Sequence, residues 1–284
     1  MRVRVPASSA NLGPGFDALG VALSLYLEVS VTPADEFSIT TSGFGAGSFD
    51  TPDHLGAVVA RRVLGHDRFA MHVHSDIPLS RGLGSSASLA LAAAAAAGST
   101  NPLHEATVVD GHAENAAASL RGGLVIATTN DTDGAVVRDL TLDPAWRFVA
   151  VVPDQELATA DARRVLPASV PYHDAVANVG AVGLLIAGLA RHADFVAAAM
   201  DDYLHQPYRM DLLPFARPLL ARLREAGAAG SCWSGAGSTM LALVTNETAD
   251  AVAAVASAFL VDNEVAGVVH VLDADRRGLV VVDE

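Results

Sequence analysis

Lysine does not occur in this sequence; all 18 basic residues are arginine. That absence excludes Schiff-base chemistry and the phosphate-gripping lysine of a P-loop. Any bound phosphate or carboxylate must be held by arginine, by backbone N–H groups or by a metal ion. Cysteine occurs once, at Cys232, which excludes an intrachain disulfide and fits a reducing cytoplasm. Positive charge is scarce overall: 32 acidic residues stand against the 18 basic ones, for a formal charge of −14. A nucleic-acid or anionic-membrane surface needs clustered Lys and Arg, so neither partner is expected. The opening M-R-V-R-V-P-A-S-S lacks the apolar core of a secretory leader. Alanine-rich runs such as Leu89–Ala97 are too short to span a membrane. Apolar residues, by contrast, make up 51% of the 284, enough for a sizeable core in two compact domains.

Alternation and β-branching mark strands at Val3–Val5, Val21–Val31, Phe69–His74, Gly122–Thr128, Phe148–Val152, Ser238–Val244 and Gly267–Leu272. Pro33–Asp53 reads as a strand with a Gly-rich hairpin or loop. Helical spacing covers His54–Leu64, closed by Gly65, and Ser85–Ala97, stopped by Gly98. Further helices are expected at Pro102–Val109, Ala160–Val165, His173–Ala190, Ala193–Met200, Leu212–Ala226 and Ala249–Leu260. Strands and helices interleave without strict βαβ alternation, which argues for two-layer α+β domains. Asp143-Pro144 is a natural boundary, dividing the chain into 1–143 and 144–284.

Three Gly-rich segments carry the chemistry. The strongest is Pro78-Leu79-Ser80-Arg81-Gly82-Leu83-Gly84-Ser85-Ser86-Ala87, which runs from a turn into a helix. Gly82 and Gly84 permit positive φ and close backbone approach, and Ser85 and Ser86 are suited to capping. Free N–H groups at the positive end of the helix dipole then form an anion site, a way to hold a triphosphate without lysine. The second segment is Ser8-Ser9-Ala10-Asn11-Leu12-Gly13-Pro14-Gly15-Phe16-Asp17, where Asn11 and Asp17 are polar groups in a small or apolar stretch. The third is Ser234-Gly235-Ala236-Gly237-Ser238-Thr239, ahead of an apolar strand. Taken singly, the second and third are explained equally well by ordinary turns.

In this order, the three segments resemble the three motifs of the GHMP kinases, and the resemblance runs nearly the whole chain. It is most specific to the homoserine-phosphorylating members, through the stretch from Val5 through Gly20 to Leu27, Gly111-His112-Ala113-Glu114-Asn115, Thr159–Pro167 and Gln206-Pro207-Tyr208-Arg209. It implies a fold of an N-terminal ribosomal-protein-S5-like α/β domain and a C-terminal ferredoxin-like α+β domain. It implies ATP-dependent phosphorylation of the side-chain hydroxyl of L-homoserine, with Mg2+, in the cytoplasm; a homodimer is compatible with it. Pro78, Arg81, Gly82, Leu83, Gly84, Ser85, Ser86 and Ala87 would bind ATP, and Ser86 and Asp110 the metal. Asn11, Asp17, His112, Glu114, Asn115, Thr159, Arg163 and Arg209 would form the acceptor pocket. Asn115, Arg163 and Ser86 would stand nearest the reaction, with His112 orienting. Asn115 occupies the place of a catalytic aspartate in some relatives, so no protein base is expected there.

Several positions depart from that pattern. Asp110 stands for a Glu that would serve Mg2+, with Glu105 nearby, and Glu114 stands for an acceptor-site Asp. Ser238 replaces a Pro, and His54 an expected Asn on the adenine side. Two alternatives therefore remain beside the leading reading: a related kinase with another hydroxylated acceptor, and a binding protein of the same fold that has lost catalysis.

Overall fold

The structure is a computed structural model that describes residues 1–130 and 134–282. β1 (Arg2–Ala10) pairs antiparallel with β2 (Leu19–Pro33), and the register shifts between Pro6 and Ala7. Pro6 does not end the strand, as its missing N–H suggested; the irregularity absorbs it and β1 continues to Ala10. β3 (Ser38–Gly43) and β4 (Phe69–Ser75) run parallel and are joined through α1 (Leu55–Leu64). The Pro33–Asp53 stretch is thus one arm of a crossover and not a hairpin. His54 caps α1, its Nδ1 accepting from the Gly56 N–H at 3.2 Å, and Gly65 closes the helix in the left-handed region.

α2 (Ser85–Ala96), α3 (Pro102–Asp110) and α4 (Glu114–Arg121) follow, then β5 (Leu124–Asn130) and β6 (Gly134–Leu140). Alanine dominates α2 because the helix is enclosed, packed on β1 and β2 and against α1, α3 and α4. Small side chains let all of these neighbours approach. α4 and β6 were not legible in the sequence.

The chain then enters a second sheet with β7 (Arg147–Pro153). α5 (Thr159–Arg164), α6 (Tyr172–Ala190), the short α7 (Gln206–Arg209) and α8 (Ala216–Glu225) precede β8 (Gly230–Trp233) and β9 (Met240–Val244). α9 (Ala249–Asp262), β10 (Gly267–Asp273) and β11 (Val280–Val281) complete the chain. Ala193–Met200 is not a helix: Phe195 and Val196 are extended between two 3-10 turns. This lets the Phe195 ring lie against Gly188, Gly230 and the edge of Trp146, with 5.3 Å between the two ring centroids. α8 starts later than its periodicity suggests because Leu213, which precedes Pro214, is extended.

The first sheet has the order β11-β1-β2-β4-β3, with β5 on the start of β2 and β6 beyond it. The second is antiparallel, in the order β10-β7-β9-β8 of a split β-α-β unit. The chain crosses between the sheets after Leu140 and returns to the first through β11. One continuous core runs from Val3, Leu23 and Leu91 to Phe148, Leu185 and Leu241, so the two sheets share an apolar seam. Among the described residues α6 alone is long and apolar enough to cross a membrane; Asn178, Ala181, Leu185, Gly188 and Leu189 pack one side of it into the protein.

Candidate active site

A cleft of about 150 Å³ opens along this seam. Loop 1 is the β1–β2 turn. Its residues Asn11, Leu12 and Gly13 have φ of 74°, 50° and 81°, and Asp17 has 53°. Asn11 adopts this conformation because both ends of its amide are used locally: Oδ1 accepts from the Asp17 N–H at 3.0 Å and Nδ2 donates to the Gly235 carbonyl at 2.8 Å. Asn11 lines the cleft, yet its side chain ties loop 1 to loop 3, the Ser234–Thr239 turn between β8 and β9. Loop 2, residues 78–84 ahead of α2, is joined to loop 3 as closely. Ser234 Oγ hydrogen-bonds Ser9 Oγ at 2.8 Å and the Gly82 carbonyl at 2.6 Å, and the Thr239 N–H donates to the Arg81 carbonyl at 3.1 Å.

Loop 2 leads into α2, where the serines do not cap the helix. Gly84 occupies the cap position with φ 67° and no side chain caps the N-terminus, so Ser85 and Ser86 begin the first turn. Uncapped N–H groups are what an anion needs. Gly82, Gly84, Ser85, Ser86 and Ala87 line the cleft together with Ser80. Pro78, Arg81 and Leu83 do not. Leu83 is in the core, Pro78 lines a different surface recess, and Arg81 turns away to donate to the carbonyls of Leu79, Pro153 and Asp154. Both glycines have the positive φ expected of them, 76° and 67°, and both are also required sterically. A Cβ at Gly82 would lie 2.1 Å from the Ser234 carbonyl oxygen, and one at Gly84 would lie 2.2 Å from Ser8 Oγ.

The opposite wall carries the charged groups. Asp110 ends α3, His112 follows, and Glu114 and Asn115 begin α4. α4 reaches this place because β2 has Gly20 beneath it, where a Cβ would lie 2.6 Å from the Glu114 carbonyl oxygen. Burial pushes the Asp110 carboxyl above its ordinary range. Burial, reinforced by the charges of Asp17 and Asp110, raises Glu114 to about 7. Asn115 is oriented by Ser8, whose Oγ donates to Oδ1 at 3.0 Å. Thr159 and Arg163 come from α5 and Arg209 from α7, so all eight expected acceptor residues line one cleft. Arg163 Nη2 pairs with Asp17 Oδ1 at 2.6 Å, while its buried Nε has no partner among the described residues.

Arg209 is only 1% exposed. Nε donates to the Ala162 carbonyl at 3.2 Å, and Nη1 donates to Gly235 O and His205 Nδ1, both at 3.0 Å. Burial and then the neighbouring Arg163 charge lower its pKa to about 10. Phe16 lies beneath both guanidiniums, 5.5 Å from Arg163 and 5.3 Å from Arg209. Sequence reasoning missed Phe16, Ser8, Ser80 and His205. The first three sit inside or beside the quoted motifs, whereas His205 had only its adjacency to Gln206-Pro207-Tyr208-Arg209 as a signal.

Burial lowers His205 to about 4 from an ordinary 6.5. The folded protein therefore refuses a proton that the unfolded chain accepts between those values, so stability should fall as pH drops from about 6.5 to about 4. The full effect is about 3 kcal/mol. The urea midpoints of wild type and His205→Asn should converge over that interval and stay parallel above it; a constant difference would exclude the titration.

A second, apolar cavity of about 330 Å³ joins the cleft at Ser80, Ser85 and Ser86, and is lined by Leu27, Phe44, Phe49, Leu79 and Leu89 among others. His54 also lines it. An anion cradle between an apolar cavity and a charged pocket suits a nucleotide and a small polar acceptor.

Comparison with known proteins gives the same arrangement a lineage. A profile of the GHMP kinases N terminal domain matches residues 54–128, and that of the GHMP kinases C terminal matches residues 180–262. The homoserine kinase of Moorella thermoacetica is 37% identical over 272 residues, covering 90% of this chain and 92% of that protein. The homoserine kinase of Cutibacterium acnes is 38% identical over 286 residues, covering 93% and 95%. The crystal structure of homoserine kinase from Cytophaga hutchinsonii superposes with a TM-score of 0.86 at 26% identity, covering 99% of this chain and 97% of that one. Likeness of this extent over nearly the whole chain is common descent: the chain belongs to the GHMP kinase family.

Proposed function

We propose that the protein transfers the γ-phosphoryl group of ATP to the side-chain hydroxyl of L-homoserine, giving O-phospho-L-homoserine. The observation that carries this reading is the Asp17–Arg163 pair in the charged pocket, 2.6 Å apart, with Glu114 and Arg209 lining the same cleft. An amino acid carries one carboxylate and one ammonium, so it can take the place of each partner for the other. A sugar offers no charge to exchange with this pair, and mevalonate would take the arginines and leave Asp17 and Glu114 without a cation; unmatched buried charge is costly. Arginine forks suit the carboxylate, and Asp17 and Glu114 the ammonium. The named activity of the relatives supports the same acceptor.

ATP fits with its base in the apolar cavity and its phosphates on the uncapped N-terminus of α2. Phosphoryl transfer relies on alignment and charge neutralisation more than on covalent help. Asn115 has no basicity to accept the hydroxyl proton, so the proton leaves to the phosphate or to water. His112 lines the pocket as an orienting group. The donors present suit Mg2+: Ser86 offers a hydroxyl, and Asp110 a carboxylate that burial makes costly to ionise without a cation. When bound, the ion neutralises charge on the phosphates. The single buried thiol, Cys232, agrees with a cytoplasmic setting.

The test is ADP release over a panel of acceptors. Homoserine should be the fastest, its deaminated analogue poor, and chelation of divalent cations should abolish turnover until Mg2+ is restored. Faster turnover of mevalonate or a sugar would overturn the acceptor; no turnover of any acceptor would overturn the kinase reading.

A further inference from the structure

His205 does not line the cleft but lies behind Arg209, fully buried, and nothing in the phosphoryl-transfer reading uses it. Its hydrogen bonds determine its tautomer. The Gly13 carbonyl, which can only accept, is 2.8 Å from Nε2, so Nε2 carries the hydrogen. Arg209 Nη1, which can only donate, is 3.0 Å from Nδ1, so Nδ1 is a bare lone pair. Asp202 holds the same side, with Oδ2 3.0 Å from Nε2, while its carboxylate also accepts the backbone N–H groups of Leu204, His205 and Gln206. Phe16 stacks on the imidazole with centroids 4.9 Å apart. The charged groups acting on the ring are Asp202, Arg209 and, from loop 1, Asp17.

The consequence falls on Arg209. Its Nε and both hydrogens of Nη1 are committed inward, to Ala162, Gly235 and His205, leaving Nη2 for the cleft that Arg209 lines. We propose that His205 is a positioning residue for the acceptor: as the Nε2–H tautomer it accepts from Arg209 and sets the guanidinium so that Nη2 meets the acceptor carboxylate. This rests on the reading above, in which Arg209 binds that carboxylate. Burial keeps the ring neutral near physiological pH, as the role requires, since a protonated Nδ1 would point a hydrogen at an Nη1 hydrogen.

His205→Gln keeps a donor near Nε2 for Gly13 but removes the acceptor at Nδ1. His205→Asn keeps an acceptor near Nδ1 but cannot reach Gly13. The glutamine variant should raise the homoserine KM about tenfold with the ATP KM within about twofold, and the asparagine variant should recover most of that loss. Added to Arg209→Leu, His205→Gln should change the homoserine KM by less than about twofold, because the two side chains act as one unit. Equal rises in both KM values, no rescue by asparagine, or full multiplication with Arg209→Leu would reduce His205 to a structural residue and overturn the proposal. If Arg209→Leu itself leaves the homoserine KM unchanged, the acceptor reading falls instead. Should the glutamine variant not fold, 15N-histidine NMR of the wild-type protein decides. A neutral Nε2–H ring whose Nδ1 resonance moves on homoserine addition supports the proposal; an Nδ1–H ring, or an unmoved resonance, sinks it.

Discussion

Arg209→Leu is expected to raise the KM for L-homoserine about a hundredfold or more, equivalent to ~3 kcal/mol, or to abolish turnover. Leucine keeps the site apolar but removes the guanidinium over Phe16 and every N–H bond of the fork. The carboxylate would lose its donor, and the carbonyls of Ala162 and Gly235 would lose theirs. Because Gly235 also receives Asn11 Nδ2, loop 1 retains one link to loop 3 and the cleft need not collapse. Calorimetric ATP affinity in the absence of acceptor should therefore change little. Arg209→Lys should be almost as poor as leucine, since a single ammonium cannot reach three inward acceptors and the cleft together. A folded Arg209→Leu protein with a homoserine KM within threefold of wild type would show that the carboxylate is bound elsewhere.

The second large effect lies in loop 2. Gly82→Ala should cost about 3 kcal/mol or more of stability and weaken ATP binding about tenfold or more in whatever protein remains folded. At φ 76° any side chain is strained, and here the new Cβ would lie 2.1 Å from the Ser234 carbonyl oxygen and 2.9 Å from Gly237 N and O. These are backbone atoms of loop 3, which is itself bonded to loop 1, so relief requires all three loops to move. Gly98→Ala is the control: φ is 88° but no atom lies within 4 Å, so only the left-handed backbone cost of about 1–2 kcal/mol applies. Urea unfolding and ATP calorimetry on both variants separate the two causes. Equal losses at 82 and 98 would mean that backbone strain alone, and not loop contact, demands glycine at 82.

Much of this molecule was legible in the residue order, and the reason differs from element to element. His54–Leu64 and Ser85–Ala97 were readable as helices because their glycine stops and periodicity are local signals, and both helices stand within a residue of those limits. Pro102–Val109 and Phe69–His74 were readable for the same cause. α4, β6, β8 and β11 were not. Each is short or weakly patterned and is stabilised by what it pairs with: β11 by β1 at the other end of the chain, and α4 by the gap above Gly20. Tertiary context of that kind leaves no trace in a local window.

For the site, sequence alone determined the chemistry available: no lysine, which leaves arginine, backbone N–H groups or a metal ion to hold a phosphate, and arginines and acids enough for a zwitterion. It also marked the three loops, since turns of Gly, Ser and Asn are encoded within about ten residues. Only the tertiary structure decided which of those side chains face the cleft. It turned Arg81 and Leu83 away, committed Asn11 to loop-to-loop bonding, and gave glycine at 82 and 84 a steric role against loop 3 and Ser8. It also brought His205 beneath Arg209, with Asp17 and Arg163 joined across the pocket beside them. Most of these outcomes depend on contacts between residues far apart in sequence, such as Asn11 with Gly235 and Asp17 with Arg163, and such contacts are settled by how the two sheets pack rather than by any local pattern.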